Sequence, residues 1–496
     1  MGADEKQMKP TVFTALVDLL PEAMLLLGAL ACFGLAALRT RTGVRTYQMV
    51  SSGALLAATG MNFAYLRGMP QRGVDPGYLA YAGGLVVDRF TLFMTATLCA
   101  FSLFTVLLGT LLGARIRTHL GEYHGFVLLA TLGAVLLVST REMISLWVAV
   151  ELLGVSLVLL AGTVKTSRPG GEAAVKQLVL GMGSSAILVY GLAILYGVGG
   201  STDLAEVARA AAHPSAALVL AMALVVVGLL GKVGVVPFQR LLPDVMQGAP
   251  APVAGLIGSL SVTALMGLLL RVVFGGFGAV QSNWTALVAL LSALTMLYGS
   301  LMALRQRSVR RLLAHLAVAN LGVILMGMLG AQQNSGVSTV MFSLVAAGFA
   351  VIAGAAAITL VEASGTADSL TGYQGLSRRS PGVAAALSLA ALSLAGVPPL
   401  VGFLARLLDM EAAVLSGWAW LLVVALVATV LGTVAAARLV RTVFAATPDE
   451  DALPLDEPAP ARAALTVCGV AVIGLAAAVQ PLLALAGAGT AAVLPH

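Results

Sequence analysis

The stretch LVLAMALVVVGLLGKVGVVP, residues 218–237, decides the fold. Every position before its terminal proline is apolar or glycine except Lys232. About 20 such residues cross a bilayer as a helix, so the segment reads as a membrane span. An ammonium inside such a helix costs roughly 2.5–3.5 kcal/mol on insertion scales. Chains keep such a charge where it has a partner or a task. Pro237 removes a backbone hydrogen bond and breaks the helix. A titratable amine beside a broken helix is what ion and proton pathways are built from.

The whole chain has the same character. Hydrophobic residues make up 59% and charged residues 10%, against about 25% charged in a soluble domain. Fourteen spans are expected, at about 20–38, 48–66, 88–112, 123–140, 143–164, 174–198, 215–236, 250–274, 284–304, 311–330, 337–361, 382–410, 417–440 and 462–489. The expected fold class is therefore all-α and polytopic, one membrane domain over residues 1–496. Little chain remains for a soluble catalytic domain.

The net charge of +6 is no sign of nucleic-acid binding, because the basic residues are scattered singly through loops. Their sidedness is informative. Eighteen of the 28 lie in loops after odd-numbered spans: Arg39, Arg41, Arg45, Arg115, Arg117, Lys165, Arg168, Lys176, Arg240, Arg305, Arg307, Arg310, Arg311, Arg378, Arg379, Arg438, Arg441 and Arg462. The opposite side holds Lys6, Lys9, Arg67, Arg72, Arg89, Arg141, Arg209 and Arg271. The positive-inside rule places the first set in the cytoplasm and both termini outside. No cleavable signal is evident, since Asp18 and Glu22 interrupt the first apolar stretch. Cys32, Cys99 and Cys468 fall inside spans without CxxC spacing and read as small buried hydrophobes.

Three polar stretches are expected as loops: Arg67–Gly77 outside, and Ala363–Pro381 and the acidic Ala446–Pro460 inside. Proline interrupts two spans in mid-membrane, at Gly234-Val235-Val236-Pro237 and at Gly396-Val397-Pro398-Pro399. The two breaks lie five spans apart, so equivalent helices point in opposite directions. That is the footprint of two inverted five-helix repeats, about 122–274 and 284–441, with spans 7 and 12 broken.

The charges inside the spans are Glu151, Lys232, Arg406 and Asp409. Glu151, in LWVAVELLGVSLVLLAG, pairs with Lys232 in the functional reading. If the carboxylate moves away or takes a proton, the ammonium loses its counter-charge and can release its own. The plainer reading is a static ion pair that fixes helix packing. Arg406 and Asp409 are spaced i, i+3 and can meet on one face. Arginine does not deprotonate, so Arg406 can bias a field and not relay a proton. His124 and His315, near span starts, read more simply as satisfied interfacial residues than as relays. Ser184, Ser185, Ser259, Ser261 and Thr263 can line a hydrated path or simply aid close packing. Asn320 hydrogen-bonds and cannot titrate.

Five motifs together carry a resemblance. GKVGVVPFQRLLPDVMQGAPAPV (231–253), LWVAVELLGVSLVLLAG (146–162), GEAAVKQLVLGMGSSAILVYGLAILYGVGGSTDL (171–204), LYGSLMALRQRSVRRLLAHLAVANLG (297–322) and LSLAGVPPLVGFLARL (392–407) resemble the N subunit of bacterial NADH–quinone oxidoreductase, respiratory complex I. The P-D-V-x-x-G-A-P element favours that subunit over the L, M and Mrp antiporter relatives. The resemblance implies a fourteen-helix antiporter-like subunit of the bacterial inner membrane, seated beside other membrane-arm subunits. It implies no cofactor in this chain, with NADH, FMN, iron–sulfur clusters and quinone handled by partner subunits. By position it assigns Glu151 and Lys232 to the proton path. It also shows departures. Val262, Asn320 and Arg406 stand where the family carries a lysine, a histidine and a lysine, and Gln239 and Leu241 where it carries His and Trp. Alternatives are a cation/proton antiporter or membrane-bound hydrogenase subunit, or a structural paralogue that does not pump.

Overall fold

The computed structural model describes residues 19–38, 43–72, 77–80, 84–113, 116, 119–210, 215–276, 281–330, 336–445 and 455–487. Arg39, Arg41, Arg115, Arg117, Asp18, Lys6 and Lys9, and most of the 446–460 loop, lie outside them. Helices α1 (Leu20–Ala37) and α2 (Val44–Arg72) open the fold. A hairpin follows, β1 (Gly77–Ala80) antiparallel to β2 (Leu85–Asp88), with Gly77 opposite Asp88. Then come α3 (Arg89–Leu108), α4 (Leu120–Ser139), α5 (Met143–Ala161), α6 (Arg168–Gly199), the short α7 (Leu204–Ala210), α8 (Ala216–Val233), α9 (Leu241–Gly248) and α10 (Ala251–Leu256). A π turn over Ile257–Ser261 joins α10 to α11 (Val262–Gly276). The second half holds α12 (Gln281–Arg305), α13 (Val309–Met328), α14 (Gly336–Ala363), the short α15 (Leu376–Arg379), α16 (Pro381–Ala395), α17 (Val401–Leu415), α18 (Ala419–Phe444), α19 (Ala459–Ala477) and α20 (Val479–Gly487).

Among the described residues, twelve helices are long and apolar enough to cross a membrane, and Pro381–Ala395 is a shorter apolar one. The expected count of fourteen is thus not confirmed. Helix α2 occupies the second expected span but is too polar to qualify. The span expected at 382–410 is two helices, split at Gly396–Leu400. The one expected at 462–489 parts at Ala478, where Pro481 lacks the N–H that would continue the ladder. The Arg67–Gly77 stretch is also less of a loop than expected, since α2 runs to Arg72 and β1 begins at Gly77.

The α10–α11 segment, α13 and α14 are enclosed along almost their whole length, whereas α1, α6, α18 and α19 turn most of their apolar surface outward. Leu27, Val179, Met182, Val423 and Val470 are exposed on those outer helices, as lipid solvation requires. Lipid is as apolar as leucine, so association rests on close packing of small residues. Ala319 backbone lies against Gly299 and Leu188 backbone against Gly228, leaving no room there for a Cβ.

The two proline breaks are built alike. At the end of α8, Gly234 takes φ 85°, Val235 N–H donates to Leu230 O at 3.1 Å, and Gly234 N–H reaches Gly231 O. At the end of α16, Gly396 takes φ 83°, with Val397 N–H to Leu392 O at 3.0 Å and Gly396 N–H to Ser393 O at 3.0 Å. Both are Schellman caps, whose left-handed residue is glycine because a Cβ there would clash.

Candidate functional site

Lys232 lies in the last turn of α8, next to the break. The carbonyls freed at that end give it a negative dipole end, which favours a cation. Its Nζ donates to Glu151 Oε1 on α5 at 3.2 Å. Ser185 on α6 donates its hydroxyl to the same carboxylate oxygen. Lysine is the deeper partner: its side chain is 9% exposed and that of Glu151 33%. The acid is therefore the more accessible of the two.

Beside them is a cavity of about 70 Å³, lined by Glu151, Gln177, Lys232 and Ser261 among leucines and valines. Gln177 Oε1 is buried without a partner. A water needs roughly 10–15 Å³ of such volume and two to four polar partners, so the site admits several. Chemically, an amine, a carboxylate and a hydroxyl around space for water can take up, hold and pass on a proton.

The other small polar residues divide. Ser184 and Ser259 donate to Leu180 O and Gly255 O on their own helices, at 3.0 and 2.7 Å. They back-bond and do not line the pair's cavity, whereas Ser185 and Ser261 do face the site. Thr263 is buried. The π turn ends one residue before Val262, a local widening that often marks functional positions.

Arg406 is 3% exposed, beside the second break. It donates to Leu394 O at 2.8 Å, Thr429 Oγ1 at 2.7 Å and Asn320 Oδ1 at 3.3 Å. Leu394 O is one of the carbonyls left open where α16 ends, so this break also offers a helix C-terminus to a cation. Asp409 does not join Arg406, contrary to the i, i+3 expectation. Its Oδ2 accepts from Ser343 on α14 at 2.8 Å, and its Oδ1 is buried without a partner. The guanidinium is drawn toward open carbonyl and amide acceptors, and the carboxylate turns the other way.

His124 and His315 are buried and are not fully satisfied among the described residues. His124 is fully buried, its Nδ1 2.9 Å from Ser51 Oγ, and Nε2 has no partner. His315 is 2% exposed and neither ring nitrogen has a partner.

Several charged groups escaped the sequence reading. Asp244 on α9 accepts from Arg311 at 3.0 Å and Lys176 at 3.3 Å. Arg310 pairs with Glu362 through two bonds and donates to the carbonyl of Gln247 at 2.9 Å. Together these tie α6 and α9 to α13 and α14 at one face. At the opposite face, Arg271 donates to both oxygens of Asp88, the cap of α3, at 3.0 and 3.1 Å. Asp88, Asp244, Arg310, Arg311 and Glu362 stand at helix ends, where in sequence a charge looks like an ordinary loop residue.

The match to known proteins covers the same architecture. A family model described as NADH:quinone oxidoreductase/Mrp antiporter, TM matches residues 140–432, which include both breaks. NADH-quinone oxidoreductase subunit N 2 of Acidobacterium capsulatum is 34% identical over 484 residues, 93% of this chain and 96% of that protein. A chain of respiratory complex I from Thermus thermophilus, solved with bound aureothin, superposes with a TM-score of 0.78 at 28% identity, covering 95% of this chain and 100% of that one. The membrane-bound sulfane sulfur reductase, an archaeal respiratory complex, has a chain that superposes at 0.85 over 97% of this chain and 98% of that one. At 23% identity that likeness is one of fold alone. The family model spans quinone oxidoreductases and antiporters alike, and the full-length 34% identity decides between them: the chain belongs to the NADH-quinone oxidoreductase subunit N family.

Proposed function

We propose that this chain is the membrane-arm subunit through which a proton moves while quinone is reduced elsewhere in the complex, with Glu151 and Lys232 as the proton-carrying pair. The supporting observation is their 3.2 Å bond at the broken end of α8, beside a cavity with room for water. Ser185 holds the carboxylate, and Arg406 acts only as a fixed charge. The partners are neighbouring antiporter-like and small membrane subunits and the bilayer. NADH, FMN, iron–sulfur clusters and quinone belong to partner subunits. The chain sits in the bacterial inner membrane with both termini outside.

The energies are of the right size. Two unit charges about 4 Å apart at an effective dielectric of about 20 interact by about 4 kcal/mol. Carrying one charge across 100 mV takes about 2.3 kcal/mol. A charge arriving from a neighbouring subunit that opens the pair thus commands enough energy to drive one proton.

The domain reading belongs to this proposal: one membrane domain, with inverted repeats over about 122–274 and 284–441. The matched caps at Gly234 and Gly396 support it. Val262, Asn320 and Arg406 favour a second reading, a structural paralogue that does not pump. One experiment separates the two: protons moved per quinone reduced by the assembled complex, with and without Lys232→Ala and Glu151→Gln. The proposal expects both variants to lose proton movement while quinone reduction persists. Equal ratios in all three would leave the paralogue reading.

A further inference from the structure

We infer that Asp409 is the proton-binding group of the second half, taking the place of the titratable side chains absent at Asn320 and Arg406. This deepens the proton-transport reading and rests on it.

Asp409 is 1% exposed and lies on α17, six residues before that helix ends at Leu415. Ser343 donates to Oδ2 at 2.8 Å. Oδ1 lies against Gly327, in the last turn of α13, where a Cβ would overlap it, and has no hydrogen-bond partner among the described residues. Among the described residues no basic side chain bonds it, and Arg406 lies one turn back on the same helix. The other helices packed on α17 are α14, α16, α18 and α19.

A carboxylate kept merely to neutralise Arg406 would bond to it. Here the guanidinium's hydrogen bonds go to Leu394, Asn320 and Thr429. An acid buried in membrane without a basic partner is costly, and such groups mark ion and proton routes. Oδ1 is also free for chemistry. A lone pair there can form an O–H bond with a proton from water while Oδ2 keeps its bond from Ser343. Releasing that proton to water restores the carboxylate, with no redox change. The permanent charge of Arg406 then stands one turn from a site that alternates between neutral and negative.

His315 is another buried titratable group of this half, but it sits near the start of α13, one turn from Arg311 and the Asp244 cluster. Asp409 packs against the last turn of α13, the opposite end of that helix from His315, which the positive-inside assignment makes the outer side. It is therefore placed as the last group before release.

The test is Asp409→Asn in the assembled complex in membrane vesicles, reading protons moved per quinone reduced and the quinone reduction rate. The expected ratio falls to that of Lys232→Ala while quinone reduction continues, and Asp409→Glu recovers part of the loss. An unsubstituted ratio in Asp409→Asn overturns the inference. If that variant also shows a normal ratio while Lys232→Ala loses pumping, only the Asp409 assignment fails. If Lys232→Ala pumps normally and Asp409→Asn does not, the Glu151–Lys232 reading fails instead. Should Asp409→Asn not assemble, redox-difference infrared spectra of the unsubstituted and Asp409→Glu complexes decide. A carboxylic-acid carbonyl band that shifts in heavy water and moves with the substitution supports the inference, and spectra identical in that region overturn it.

Discussion

Replacing Arg406 with alanine takes away the donor that satisfies Leu394 O, at a site 3% exposed. A buried acceptor left without its partner costs about 1–3 kcal/mol. Arg406→Ala should therefore lower the thermal midpoint of the purified complex. Arg406→Lys keeps the charge but cannot span three acceptors with a planar fork, so it should fall between the two. A variant ordering in which lysine is no better than alanine would show that the charge contributes nothing. At this scale the sequence was most legible where an ionisable side chain stood alone in apolar surroundings. Glu151 and Lys232 were paired from their positions alone, and the structure brings them together. It was least legible where direction mattered. Arg406 and Asp409 share a face by spacing, yet each turns to a different neighbour, because open carbonyls at the α16 break compete for the guanidinium. Gln177 went unread because a polar residue near the start of an apolar helix looks like a solvated one.

The breaks in α8–α9 and α16–α17 were legible as elements because proline and glycine act locally. Gly234 and Gly396 stand at φ 85° and 83°, where an L-residue costs about 1–2 kcal/mol. Gly234→Ala and Gly396→Ala should both reduce the thermal stability of the complex. The second should reduce it more, because its Cβ would stand 2.8 Å from Arg406 Nε, against 3.1 Å from Leu242 Cβ at Gly234. Thermal unfolding in detergent followed by subunit loss reads this: absent shifts would contradict the shared cap geometry, and equal shifts the extra crowding at Gly396. The split at Ala478 and the π turn at Ile257–Ser261 were not legible. The first depends on a single proline at the start of a short helix. The second depends on packing of an enclosed helix against its neighbours and has no composition of its own.

Across the whole molecule, sidedness was read from charge alone, and the proposed release end of α17 rests on it. Cys32, Cys99 and Cys468 are buried, so an added cysteine labels against a low background. Asp449→Cys should react with an impermeant maleimide in inside-out vesicles only, and Gln71→Cys in right-side-out vesicles only. The reverse pattern would turn the route around. The charge network that joins the two halves, Lys176–Asp244–Arg311 and Arg310–Glu362, lies on the face this assignment makes cytoplasmic. In the proposed mechanism, coupling across the assembled complex rests in the end on one nitrogen changing its protonation. Lys232→Arg keeps a positive charge beside Glu151 but cannot give up a proton. The direct measurement is protons moved per quinone reduced by the assembled Lys232→Arg complex. A lower ratio with quinone reduction intact is expected if Lys232 carries the proton, and an unchanged ratio would mean that the pair is a fixed strut.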